Sequence, residues 1–346
     1  MWGAIVVVLA IVAVAALVGI RWWRDAHRTD LEEALAMAPR DAEQLSWTDW
    51  SGVRDELDLD LGEDPSGDEI VEMLDLGFEA DLTQTTALGD SAVDMQAVYG
   101  FSPATVDWEL FSQSKKGAVV MLHLPDSADF DAIRESLTDA GYTEPGSDTG
   151  VWTGGVEVLA QISGVTPELG HVVVDEDRRM ILTSDSPTYL KGAAADERDE
   201  AGPTSLEEVA AASGEPLAAA IYADDHACAK LAMSQADPID QEQATELIRA
   251  AGEVNPLTGF AIGIRRGGDV RVAMSFETDA QARANADSRA VLAAGPAPGQ
   301  GGDFTDRFSV SSATAEGRVV VLALEPVDGV SVVSDLGAGP VLFATC

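Results

Sequence analysis

The sequence predicts an α+β protein: an N-terminal transmembrane helix followed by two similar units, each an antiparallel sheet with helices packed on one face. Three observations lead there. An uncharged apolar run opens the chain; the order strand, helix, hairpin, helix, hairpin occurs twice behind it; and short Gly/Asp/Lys/Arg turns join most of the apolar strands. Hairpin connections rather than long crossovers make such strands antiparallel, and an amphipathic helix between hairpins must bury its apolar stripe against them.

The first element is Trp2–Ile20, WGAIVVVLAIVAVAALVGI, with no charge, amide or proline. As a helix rising 1.5 Å per residue it spans about 28 Å, enough to cross a hydrocarbon core. Arg21-Trp22-Trp23-Arg24 follows, indoles and guanidiniums that suit headgroup depth. A cleaved signal peptide would have a basic start and a small-x-small cleavage site, and neither is present, so residues 1–24 are expected to be retained as an anchor. The expected partner of residues 2–20 is therefore the lipid bilayer. Residues 25–42 are expected to form a short helical stalk ending near Pro39.

The first unit is assigned to residues 43–191. A strand through Trp47 turns at Asp49 into a helix; Val106–Phe111 and Ala118–Leu124 form a hairpin around Lys115-Lys116-Gly117; a helix runs from Asp129 to Ala140; a second hairpin joins His171–Val174 to Met180–Thr183. Residues 192–214 (GAAADERDEAGPTSLEEVAAASG) read as a linker. The second unit, residues 215–346, repeats the order. A strand through Tyr222 turns at Asp224, Phe260–Ile264 pairs with Val270–Phe276, a helix covers Asp279–Ala293, and Phe308–Ser312 pairs with Val319–Leu324. The two aromatic-x-Asp corners, Trp47 to Asp49 and Tyr222 to Asp224, are expected to be equivalent.

Composition narrows the function classes. Sixty acidic residues against 21 basic ones give a formal charge of −39, which repels nucleic acid and anionic lipid, so no nucleic-acid partner is expected. Cysteine occurs twice, at Cys228 and at Cys346. Pairing them closes a loop worth roughly 4–5 kcal/mol in the chain-entropy model, and it is the reading adopted here, two buried free thiols being the alternative. A disulfide points to an oxidising compartment. Arg21, Arg24 and Arg28, all behind the apolar run, point the other way by the positive-inside rule. The cysteines are given the greater weight, and the folded region is expected outside the cytoplasm.

Candidate chemistry is sparse. Histidine stands only at 27, 123, 171 and 226. Asp224-Asp225-His226-Ala227-Cys228 is the densest group of ligand-type side chains, but its spacing fits no metal motif and an oxidised Cys228 would offer no thiolate. Asp58 to Glu69 places carboxylates where a calcium loop needs them, yet Glu63 occupies the place of the required glycine; an acidic loop leading into a helix explains the segment more simply. The basic pairs Lys115-Lys116, Arg178-Arg179 and Arg265-Arg266 lie at or beside hairpin tips and would make a positive patch only if the tips pointed one way. No nucleophile elbow, zincin, P-loop or dinucleotide motif occurs, so no catalytic, cofactor-binding or metal residues are assigned and no enzymatic activity is expected.

The apolar leader, Trp47-Thr48-Asp49-Trp50, Tyr99-Gly100-Phe101-Ser102-Pro103 before Val106–Leu110, the Gln300–Phe304 loop and the terminal Cys346 together resemble uncharacterised actinobacterial membrane-anchored envelope proteins. That resemblance implies a location at the cell envelope and no mechanism. The expectation is a membrane-anchored extracytoplasmic binding or interaction protein. An envelope carrier or sensor for a lipid-like apolar ligand is the alternative.

Overall fold

Period-two alternation gives every strand two faces, and here both faces are apolar. Val119 and Met121 belong to one buried cluster, Val120 and Leu122 to another; Ala219 and Ile221 alternate in the same way with Ala218 and Ala220. A sheet with two greasy faces needs cover on both. The computed structural model, which describes residues 28–162, 165–337 and 339–346, provides it.

In the first half the elements are α1 (Asp30–Met37), β1 (Gln44–Thr48), α2 (Trp50–Glu56), α3 (Gly67–Glu79), α4 (Ala92–Tyr99), β2 (Trp108–Ser114), β3 (Gly117–His123), α5 (Phe130–Asp139), β4 (Val151–Thr153), α6 (Gly155–Leu159), β5 (His171–Asp175), β6 (Met180–Ser184) and α7 (Pro187–Arg198). The second half holds α8 (Glu207–Ser213), β7 (Pro216–Ala223), α9 (Asp224–Leu231), α10 (Pro238–Ala251), β8 (Gly259–Arg265), β9 (Val270–Ser275), α11 (Asp279–Ala293), β10 (Phe308–Glu316), β11 (Val319–Pro326) and α12 (Val332–Leu336). Local chemistry sets the helix starts. Thr29 with Glu32, Ser66 with Glu69 and Thr278 with Gln281 form capping boxes, each satisfying two orphan N–H groups.

Among the described residues, eleven strands make one antiparallel sheet in the order β10-β11-β9-β8-β7-β1-β2-β3-β6-β5-β4. The halves meet where β1 pairs with β7, Trp47 opposite Ala219 and Gln44 opposite Tyr222. Outward from β1 the sheet reads β2, β3, β6, β5; outward from β7 it reads β8, β9, β11, β10. The two halves thus repeat one topology about the central pair, and their cores are continuous across it.

The helices lie on both faces, which corrects the expectation of one. The larger core takes α2 to α6 and α9 to α12. The opposite core is closed by α1, α7 and α8, through Leu31, Leu35, Leu190, Ala194, Leu206 and Val209 against Leu45, Trp47, Trp108 and Met121. The segments read as stalk and linker supply this second layer. The Gly-Pro of residues 202–203 marks a close approach rather than a flexible joint: a Cβ at Gly202 would collide with the backbone of α1, whose Ala36 carbonyl accepts from Gly202 N–H at 2.9 Å.

Register also moves one expected equivalence. Trp47 belongs to the α1/α7/α8 layer whereas Tyr222 belongs to the other, so these aromatics do not occupy matching places. Matching by face and strand partner instead sets Asp49 beside Ala223 as helix caps, Val53 beside Ala227, Arg54 beside Cys228, Ala104 beside Asn255 and Leu124 beside Phe276.

Candidate functional site

Two corners of the larger core, one in each half, hold the most unusual side chains. In the second half Cys228 on α9 is bonded to Cys346, with Cα atoms 5.5 Å apart, as the sequence predicted. The C-terminal segment runs between α9 and α11. Val341 N–H donates to Leu231 O at 2.9 Å, Met233 N–H donates to Thr345 Oγ1 at 2.9 Å, and Phe343 packs among Phe304 and Phe308. Arg289 on α11 closes the corner. It is fully buried and donates to the carbonyls of Phe343 (3.0 Å), Thr345 (2.5 Å) and Asn255 (2.6 Å), with Asn285 Oδ1 at 3.2 Å. Burial pushes its pKa down to about 9, since no carboxylate of the described residues compensates the charge.

In the first half the matching corner is open. A groove of about 470 Å³ runs between α2, the loop after it, the C-terminal end of α4 and the start of α5. Leu59, Leu61, Phe101, Leu124 and Ile133 give it an apolar floor, with Tyr99 beside them. The Tyr99 hydroxyl donates to Tyr142 at 2.8 Å, because the Tyr142 proton goes to Leu169 O at 2.6 Å, and so the ring is held from behind. Burial raises the Tyr99 pKa and keeps the phenol neutral.

Arg54 is the cation of this groove. Its Nη1 donates to the carbonyls of Pro103 (3.2 Å) and Val106 (3.0 Å), while no described residue accepts from Nε or Nη2. Burial lowers its pKa, and the carboxylates of Asp107, Asp49 and Asp55 pull it back up without forming an ion pair. At the rim stand Asp55, Asp60, Glu63 and Asp129, all exposed. A partly desolvated guanidinium with unused donors, set in an apolar cleft behind carboxylates, can take an anion that carries an apolar body.

The remaining candidates are structural. His123 bonds Asp107 Oδ2 through Nδ1 at 2.9 Å and meets Arg179 Nη2 through Nε2 at 3.2 Å, while its ring stacks on Trp108. Because an arginine can only donate, Nε2 is the acceptor and Nδ1 carries the proton. His226 lies 3.8 Å from Glu43, its Nε2 buried without a hydrogen-bond partner among the described residues, and burial lowers its pKa; His171 Nδ1 is likewise without one among them. His27, Trp2–Ile20 and Arg21 to Arg24 lie outside the described residues.

No group of three or more His, Cys, Asp or Glu side chains among the described residues is arranged to hold a metal. The Asp58–Glu69 segment spends Glu69 on the Ser66 cap, and Asp60 and Glu63 on the groove rim. The basic pairs are largely neutralised, Arg265 alone of the six having no ion pair among the described residues. Lys115 and Lys116 bind Glu43 and Asp41, Arg179 binds Asp126, Arg178 lies 3.6 Å from Glu197, and Arg266 binds Asp55. Among the described residues no helix is long and apolar enough to cross a membrane.

Sequence reasoning passed over Arg54, Arg289 and Glu109. Each is a charged residue whose environment only tertiary packing sets, burying Arg289 and Glu109 and half-burying Arg54. Glu109 is fully buried on β2 and accepts from Trp50 Nε1 (3.0 Å), Thr86 Oγ1 (2.6 Å) and Ala87 N (2.7 Å), tying the loop after α3 to the sheet.

Comparison with known proteins adds little to this geometry. No family model and no curated protein matches the chain. Among solved structures, two crystal forms of TP0453 are similar at a TM-score of 0.40. Form I is 8% identical and aligns over 87% of this chain and 96% of its own; form III is 7% identical and aligns over 88% and 97%.

Proposed function

We propose that the chain is a membrane-anchored, extracytoplasmic binding protein without catalytic activity, and that the groove beside Arg54 is its recognition site. The groove itself supports the binding part. It has an apolar floor with one convergent cation, and its lining offers serine and threonine hydroxyls but no histidine to activate them. Trp2–Ile20 supports the anchor, and the Cys228–Cys346 disulfide supports an oxidising compartment.

The carrier reading ranks second, because a lipid carrier needs an enclosed apolar cavity. Both cores here are filled, and the groove is open and acid-rimmed. Protease treatment of intact spheroplasts that make the full chain tests the location. The acidic region should be cleaved while a cytoplasmic marker survives; a protected acidic region with free thiols refutes the reading.

A further inference from the structure

The two halves repeat one topology, so an occupied corner in one half is a template for the empty corner in the other. In the second half the occupant is a peptide, Val341–Cys346, lying between α9 and α11. Its final residue is fixed to Cys228, and Cys228 stands where Arg54 stands in the first half. The walls correspond as well. Asn255, whose carbonyl accepts from Arg289, matches Ala104 of the groove lining, and Phe276, over which the Arg289 guanidinium lies 5.8 Å from the ring centre, matches Leu124. One half therefore holds a peptide segment covalently. The other places a guanidinium with unused donors at the same position.

We propose that the groove captures the C-terminal peptide of a partner protein, its α-carboxylate on Nε and Nη2 of Arg54 and an apolar side chain on Leu59, Phe101 and Ile133. This rests on the groove being the recognition site. A carboxylate matches the planar fork of an arginine, and a terminal carboxylate is available once per chain, which gives register as well as affinity. The rim selects further. Asp60 and Glu63 make no ion pair among the described residues, and the Asp129 carboxylate accepts only from the Asp131 and Ala132 amides. Basic side chains upstream of the terminus meet these carboxylates, whereas an acidic peptide is repelled.

The chain's own tail supplies the probe. The labelled hexapeptide Val-Leu-Phe-Ala-Thr-Ser, with a free carboxylate or as its amide, is titrated by fluorescence polarisation into the oxidised full chain in nanodiscs. Saturable binding of the acid is expected, with amidation weakening it at least tenfold. Arg54→Gln should abolish the difference between acid and amide. Arg54 also supports the loop at Pro103, so a second variant is needed. Ala132→Trp, at an exposed position of α5 on the groove wall, should block both forms while leaving the fold intact. Equal binding of acid and amide, blocked by Ala132→Trp, overturns carboxylate capture but leaves the groove as a recognition site. Absence of binding up to millimolar peptide, or binding that Ala132→Trp does not affect, overturns both.

Discussion

Removing the disulfide is the sharpest test of how the second half is closed. The variant is Cys228→Ser with Cys346→Ser, which deletes a bridge spanning 118 residues of sequence. In the chain-entropy model a loop of that length costs the unfolded state about 16 cal/mol/K, or about 5 kcal/mol at 25 °C. A folded region of roughly 300 residues unfolds with an entropy of about 0.6 kcal/mol/K, so the melting temperature should fall by about 7 or 8 °C. The tail has other fastenings, the Arg289 bonds to Phe343 and Thr345 carbonyls and the buried Phe343 ring, so the variant should still fold with its last strands and α12 in place. Differential scanning calorimetry of the full chain, compared with the oxidised wild type and with wild type in reductant, measures the shift. Reduced wild type and the double variant should melt together. A shift under 2 °C in both would refute the argument, since it would mean that the loop closure does not constrain the unfolded chain.

Three further outcomes test separate parts of the fold. Glu197 on α7 is fully buried, both carboxylate oxygens lack hydrogen-bond partners among the described residues, and its pKa is raised to about 7 by burial and then by Asp175, against the pull of Arg178 and Arg198. The folded state therefore holds a proton that the unfolded state releases near pH 4.5. That contribution is complete below the unfolded value and is lost as pH rises to about 7, so Glu197→Gln should flatten the stability–pH curve across this window and gain on the order of 2–3 kcal/mol relative to wild type at pH 8, read by denaturant titration. Asp81, at φ +60° before the first-half loop, caps α12 of the second half through Val333 N (2.6 Å) and Ser334 N (3.2 Å); Asp81→Asn should cost about 1 kcal/mol and speed hydrogen exchange at those two amides above the rest of the core. Glu109→Leu leaves the Trp50 indole, Thr86 hydroxyl and Ala87 amide without an acceptor and should cost about 3–5 kcal/mol by the same titration, with Trp50 fluorescence reporting a loosened contact.

Much of the architecture was legible because hairpins declare themselves locally. Lys115-Lys116-Gly117 and Arg265–Asp269 sit between strands whose alternation fixes their faces, and the structure has both turns where the sequence predicted them. The Cys228–Cys346 pair was legible because only two cysteines exist. What escaped was the second helical layer. Leu31, Leu35 and Leu190 look like isolated apolar residues in charged stretches, and nothing local says that the sheet beneath them is apolar on both sides. Arg54 escaped for a related reason. Its neighbours Asp55 and Glu56 suggest a solvated helix end, and its partial burial arises from the loop at Phe101 to Val106, about fifty residues away.

The open corner follows from the path of the chain. After β6 the backbone crosses to the opposite face as α7, because the first half must continue into the second, and Leu190, Ala193 and Ala194 are spent there. After β11 the chain turns back over the larger core through α12 to Cys346, bringing Leu342, Phe343 and Ala344 into the corner beside α9. That segment fills only one of the two equivalent seats. The first half compensates in part with three helices between its first two strands where the second half has two, and α4 with Phe101 covers much of the floor that the tail covers elsewhere. It leaves about 470 Å³ uncovered, however, and at the point where the second half places a cysteine it places Arg54. A mere packing defect would be lined with apolar side chains and would cost stability for every methylene missing. A guanidinium held at such a defect on two carbonyls, with donors that no described residue accepts from, is partly desolvated without an ion pair, and an anion in the groove would offset that cost.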